Sequence, residues 1–137
     1  MYIIFDEQII DSEEIKDLIE QKSDFKVEKD MCKATKREDV LAYLLTLDID
    51  IANKEIEESY DLQDIDMDEL FEEYMQIAEE KATELEEVMP MYSIMNVASY
   101  KLDMSENKIK TIIAIAHTDL GTLKLSDIMK RLLSETD

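Results

Sequence analysis

Asp64, Asp66 and Asp68 stand at alternate positions, the spacing with which a calcium-binding loop begins. Such a loop needs glycine at its sixth position for a sharp turn and a bidentate glutamate at its twelfth. Those positions hold Glu69 and Met75. The loop is therefore excluded, and the aspartates are expected to place favourable negative charge at a helix N-terminus. Cys32 and His117 are the only cysteine and the only histidine, 85 positions apart. Alone they make no zinc site. A Cys–His nucleophilic pair remains formally available; a buried thiol and a helix-end histidine is the expectation. A di-metal bundle would need Glu-x-x-His, and Ala114 stands three before His117. No G-x-S-x-G elbow supports a serine triad. With one glycine, Gly121, no loop can cradle phosphates. The expectation is a protein with no catalytic residue, no metal and no cofactor, hence not an enzyme.

The remaining constellation is electrostatic. Asp48–Met89 holds 17 carboxylates and two lysines, Lys54 and Lys81, a net −15 of the chain's −20. Within it, Met67, Leu70, Phe71, Tyr74, Ala78, Ala82, Leu85 and Val88 recur every three or four residues. That spacing predicts an amphipathic helix over Asp66–Met89, about 36 Å long, ended or kinked by Pro90. Its polar face carries Asp68, Glu69, Glu72, Glu73, Glu79, Glu80, Glu84, Glu86 and Glu87. Asp68/Glu72, Glu69/Glu73 and Glu80/Glu84 are like-charge pairs at i,i+4, each destabilising by roughly 0.2–0.5 kcal/mol. A mixed-charge face would solubilise as well at lower cost. These nine acids are the candidate partner-binding residues.

The other elements must display that face. Scarce glycine and proline argue against the many tight turns of an all-β fold. Capping-box spacings at Thr35–Glu38, Asp11–Glu14 and Asp103–Glu106, and a possible cap at Ser126, mark helix starts. The helices they open carry Ile15, Leu18 and Ile19; Val40, Leu41, Leu44, Leu45 and Leu47; Ile109, Ile112, Ile113 and Ala116; and Leu125, Ile128, Met129, Leu132 and Leu133. Met91–Leu102 has no acid and is apolar nearly all round, as a surrounded central helix would be. The methionines Met89, Met91, Met95 and Met104 are read as core rather than as a binding groove. Met1–Phe5 and Asp24–Glu28 suit a small two-stranded β element. Leu120-Gly121 fits a helix C-terminus. The expected fold is mainly α, a single helical domain over 1–137 of five or six helices. It divides into a small β/α element at 1–30, acidic helices at 35–89 and a charge-neutral helical part at 91–137.

Ser105–Leu133 has a helix-turn-helix outline, but its net charge is near zero, and direct DNA binding needs an accumulated basic face. Direct contact with nucleic acid is therefore not expected. No apolar run is long enough to span a bilayer, no signal peptide is evident, and a lone cysteine suits a reducing compartment; a cytoplasmic protein is expected. In size and charge the chain resembles DNA-mimic anti-restriction and anti-CRISPR proteins and nuclease immunity proteins. No motif carries that resemblance. It implies an inhibitor or immunity protein, of phage or bacterial type, that mimics nucleic acid and covers a basic surface of a nuclease or defence enzyme. The alternative is an assembly chaperone or oligomerisation module that uses Met91–Leu102 as its contact.

Overall fold

Val40–Leu45 and Ile112–Ala116 are apolar at every position, and in the computed structural model, which describes residues 1–136, both runs lie in strands, Val40–Asp48 and Lys108–His117. The mainly helical expectation is thereby corrected: the protein is mixed α and β, with four helices and six strands in two antiparallel sheets. Tyr2–Phe5 (β1) pairs with Gln8–Asp11 (β2) in a hairpin. Ser12–Lys22 (α1) follows, capped by Asp11, whose carboxylate accepts from the Glu13 N–H. Lys26–Asp30 (β3) then joins Val40–Asp48 (β4), Ser93–Asp103 (β5) and Lys108–His117 (β6) in a sheet of order β3-β4-β6-β5. Ile49–Glu57 (α2) and Met67–Thr83 (α3) connect β4 to β5. Both of those strands run antiparallel to β6, so β4 and β5 are parallel with β6 between them. Thr122–Ser134 (α4) closes the described chain.

The two central strands, β4 and β6, are buried on both faces, which explains the misleading pattern. Leu41, Tyr43, Leu45 and Leu47 of β4, with Ile109, Ile113 and Ile115 of β6, pack under the hairpin, α1, α2 and α3. Val40, Ala42 and Leu44, with Ile112, Ala114 and Ala116, pack under α4. A strand covered on both sides shows continuous apolar residues rather than alternation. Within such a run, apolar residues at helical spacing are unavoidable, so the spacing does not discriminate.

Several local expectations change with it. Within Met91–Leu102, Met91 and Tyr92 form a turn and the rest belongs to the edge strand β5, not to a central helix; every residue of β5 is partly exposed. Tyr2–Phe5 pairs with its own hairpin partner, not with the segment around Phe25 and Val27. Thr35 ends a short 3₁₀ turn, Lys33–Thr35; its hydroxyl donates to the Cys32 carbonyl at 2.7 Å. Asp103 shapes the β5–β6 turn, accepting from the Ser105 hydroxyl and the Glu106 N–H. Ser105–Leu133 is strand, 3₁₀ turn and helix, so the helix-turn-helix outline does not exist. Gly121, at φ +89°, ends the Thr118–Leu120 turn and opens α4; that positive φ suits glycine. The helix expected to open at Asp11 and carry Ile15, Leu18 and Ile19 is present as Ser12–Lys22, and so is the apolar stripe of α4. No helix among the described residues is long and apolar enough to cross a membrane.

Candidate protein-interaction surface

The acidic helix forms where its periodicity places it. Asp66 caps α3, its carboxylate accepting from the Asp68 N–H at 2.8 Å. Tyr74, Ile77, Ala78 and Ala82 turn inward. A 3₁₀ turn over Glu84–Val88 continues the helix and buries Leu85, and Pro90 follows it. Tyr74 ties α3 to α2 by donating its hydroxyl to the Asn53 side-chain oxygen. Burial raises the Tyr74 pKa, so the phenol stays protonated and keeps donating.

At 100° per residue, the acids of α3 fall within an arc of about 140°, opposite the buried arc. Of the nine candidate residues, Asp68, Glu69, Glu72, Glu79, Glu80, Glu84, Glu86 and Glu87 are exposed, and Glu73 is half-buried. The structure brings all nine together on one rod. Lys81, the single cation between Asp68 and Glu87, is turned away from it. Its Nζ lies 3.1 Å from Glu55 and 3.9 Å from Asp24. Among the described residues none of the nine acids is paired with a cation. Two have neutral partners: Glu80 accepts from the Gln76 amide at 3.0 Å, and Glu79 accepts from the Ser99 backbone N–H on β5 at 3.1 Å. Nine charges over a rise of about 29 Å is roughly one per 3 Å, close to the one per about 3.4 Å of a single nucleic-acid strand.

Beside the first turns of α3, Tyr60, Ile65, Glu69, Glu72 and Glu73 line a cleft of about 140 Å³. Sequence reasoning missed Tyr60 and Ile65 as part of this surface, because only the fold sets the α2–α3 connection against the acids. The cleft's lining combines the Tyr60 ring and the Ile65 side chain with three carboxylates. That is the environment a lysine or arginine side chain prefers, stem on carbon and charge on oxygen.

The residues with potential covalent or metal chemistry are placed differently. Cys32 is fully buried, its Sγ donating to the Ala42 carbonyl and accepting from the Ala42 N–H. Burial pushes its thiol up to about 12, so the nucleophilic thiolate is suppressed. No hydrogen bond joins it to His117 among the described residues. His117 sits at the end of β6, not at a helix end; its Nδ1 accepts from the Asp119 N–H at 3.1 Å, capping the Thr118–Leu120 turn. Asp6 approaches the same point, and one ligand atom from each of Asp6, His117 and Asp119 lies within 4.8 Å of the others. The Asp119 N–H already occupies the Nδ1 lone pair, and both aspartates are exposed. This arrangement is a capped turn more than a prepared metal site.

Comparison with protein families, characterised proteins and solved structures gave no match to this chain.

Proposed function

We propose that this protein is a non-catalytic binding protein of the inhibitor type, which covers a basic, nucleic-acid-binding surface of a partner protein by charge mimicry. The observation that supports this most is the rod from Asp68 to Glu87. It holds nine carboxylates without a cationic partner among the described residues, and its one lysine is turned toward Glu55 and Asp24. Solubility alone does not require such a face, because interspersed charges of both signs serve it without like-charge repulsion. Displayed at the linear density of a nucleic-acid strand, the carboxylates occupy Lys and Arg groups that otherwise hold phosphates. Their field also accelerates encounter with a basic groove. The cleft at Tyr60 and Ile65 supplies an apolar socket for one long basic side chain, the kind of anchor that concentrates binding energy.

The test uses the whole protein as bait for host proteins, followed by competition with duplex DNA or RNA. A specific partner that nucleic acid displaces competitively supports the proposal. Simultaneous binding of nucleic acid and this protein, or capture that survives conversion of the acids to amides, contradicts it.

A further inference from the structure

The four-stranded sheet has two unlike edges. β3 is five residues long, carries Lys26, Glu28, Lys29 and Asp30, and is bulged between Val27 and Lys29. Short length, charge and a bulge are the devices that protect an edge from further pairing. β5 is eleven residues long, and Ser93–Ser99 precedes its only register shift, between Ser99 and Lys101. From Ile94 to Tyr100 it has no charge and no proline. By the same criteria that edge is open from Ile94 to Ala98, ahead of the Ser99 N–H that the Glu79 carboxylate occupies.

Its hydrogen-bonding phase follows from two contacts. The Thr118 N–H donates to the Tyr92 carbonyl at 2.8 Å, just before the β5–β6 ladder. In an antiparallel pair, bonded and non-bonded residues alternate. Ile94, Asn96 and Ala98 therefore bond to β6, while Met95, Val97 and Ser99 turn their N–H and C=O groups outward. The Ser99 N–H bears this out, because it donates outward to the Glu79 carboxylate. A carboxylate oxygen from the acidic helix thus stands where the carbonyl of a fifth strand would stand.

We propose that the β5 edge takes up an extended, basic segment of the partner as a fifth strand, with α3 supplying the countercharge. This rests on the acidic-face reading above and adds the backbone geometry by which the partner is held. Strand addition gives affinity through main-chain bonds and selectivity through alternate side chains. Met95 and Val97 belong to the α3 side of the sheet, and Ile94 and Ala98 to the α4 side. An added strand therefore points alternate residues toward Glu79 and its neighbours and the others toward the Ile94–Ala98 side. The preferred occupant alternates Lys or Arg with apolar or β-branched residues. A second copy of this chain is disfavoured as occupant. Pairing two β5 edges brings two α3 acidic faces together, in molecules that each carry −20.

The probe is a synthetic ten-residue peptide alternating Lys and Val, compared with the same sequence N-methylated at every residue. The second peptide keeps the charge but cannot pair as a strand. Fluorescence anisotropy on the intact protein is expected to show at least tenfold tighter binding of the unmethylated peptide. Val97→Pro removes an outward N–H without touching the β6 ladder, and is expected to abolish that preference while leaving residual charge-driven binding. If Val97→Pro does not fold, the comparison of the two peptides on the unaltered protein stands alone. Equal binding of both peptides overturns strand addition and leaves the acidic-face reading intact. Binding of neither overturns both. Sedimentation showing a dimer, with β5 amides protected from hydrogen exchange, identifies a second copy as the occupant and overturns the proposal.

Discussion

Converting Glu72, Glu73 and Glu80 to Gln separates the cost of the acidic face from its use. The substitutions relieve Asp68/Glu72, Glu69/Glu73 and Glu80/Glu84, three like-charge pairs on α3 and its 3₁₀ extension. At about 0.2–0.5 kcal/mol each, the gain is about 0.6–1.5 kcal/mol. Glu80 lies in the last turn of α3, where negative charge opposes the helix dipole, so its neutralisation acts in the same direction. The Gln76 amide keeps an oxygen acceptor at position 80, since glutamine retains one. For a chain of this length the unfolding entropy near Tm is about 0.29 kcal/mol/K, so Tm is expected to rise by about 2–5 °C at low ionic strength. In 1 M salt, where the Debye length is about 3 Å, the gain should largely vanish. Thermal unfolding followed by circular dichroism at both salt concentrations measures it. A fall in Tm of similar size at low salt would show that these carboxylates stabilise the fold, and the view of them as a displayed, costly face would be wrong.

Three further outcomes test the packing and the buried groups. Tyr43 is fully buried and donates its hydroxyl to the Ser12 carbonyl at 2.8 Å, joining β4 to the start of α1. Tyr43→Phe should cost about 1 kcal/mol in urea unfolding with an unchanged m-value. Cys32 should resist a thiol-specific chromogenic reagent at pH 8 in the native protein and react fully in denaturant; fast native reaction would contradict its burial. The bidentate Arg37 guanidinium holds the Asp39 carboxyl below its ordinary value. The stability this contributes is present above the unfolded pKa and is lost as pH falls through the lowered folded value, below about 4. Asp39→Asn should therefore flatten part of the acid-side loss of stability in pH-dependent unfolding.

What the sequence disclosed divides along physical lines. Where one face is buried and the other wet, periodicity is informative: α4 follows its predicted stripe, α3 does so from Tyr74 onward while Met67 and Phe71 at its start are exposed, and Asp11 caps α1 as its spacing indicates. Where both faces are buried, as in β4 and β6, nothing in the run distinguishes strand from helix. Scarce glycine also misled. The turns reach positive φ through Asp6, Lys36, Tyr92 and Asn107 instead. Asp and Asn tolerate that region better than most residues, and Asp6 and Asn107 lie in the two hairpin turns. The capping-box spacings at Thr35 and Asp103 are used for turns, because the same short side chains that cap helices also bind nearby backbone in loops. The nine acids were legible because exposure follows from polarity. The cleft at Tyr60 and the open β5 edge were not, since both depend on which elements the fold sets side by side.

The most direct test of the acidic face is the association rate of the captured partner, measured as a function of salt concentration, for the unaltered protein and the Glu72→Gln, Glu73→Gln, Glu80→Gln variant. Charges displayed to a basic groove act chiefly on encounter and on its salt dependence. The expected result is slower association of the variant at low salt, a shallower salt slope, and convergence of the two proteins at high salt. Identical rates and identical slopes, in a variant that is as stable as the parent or more so, would leave the acids as solubilising charge and contradict the proposed function.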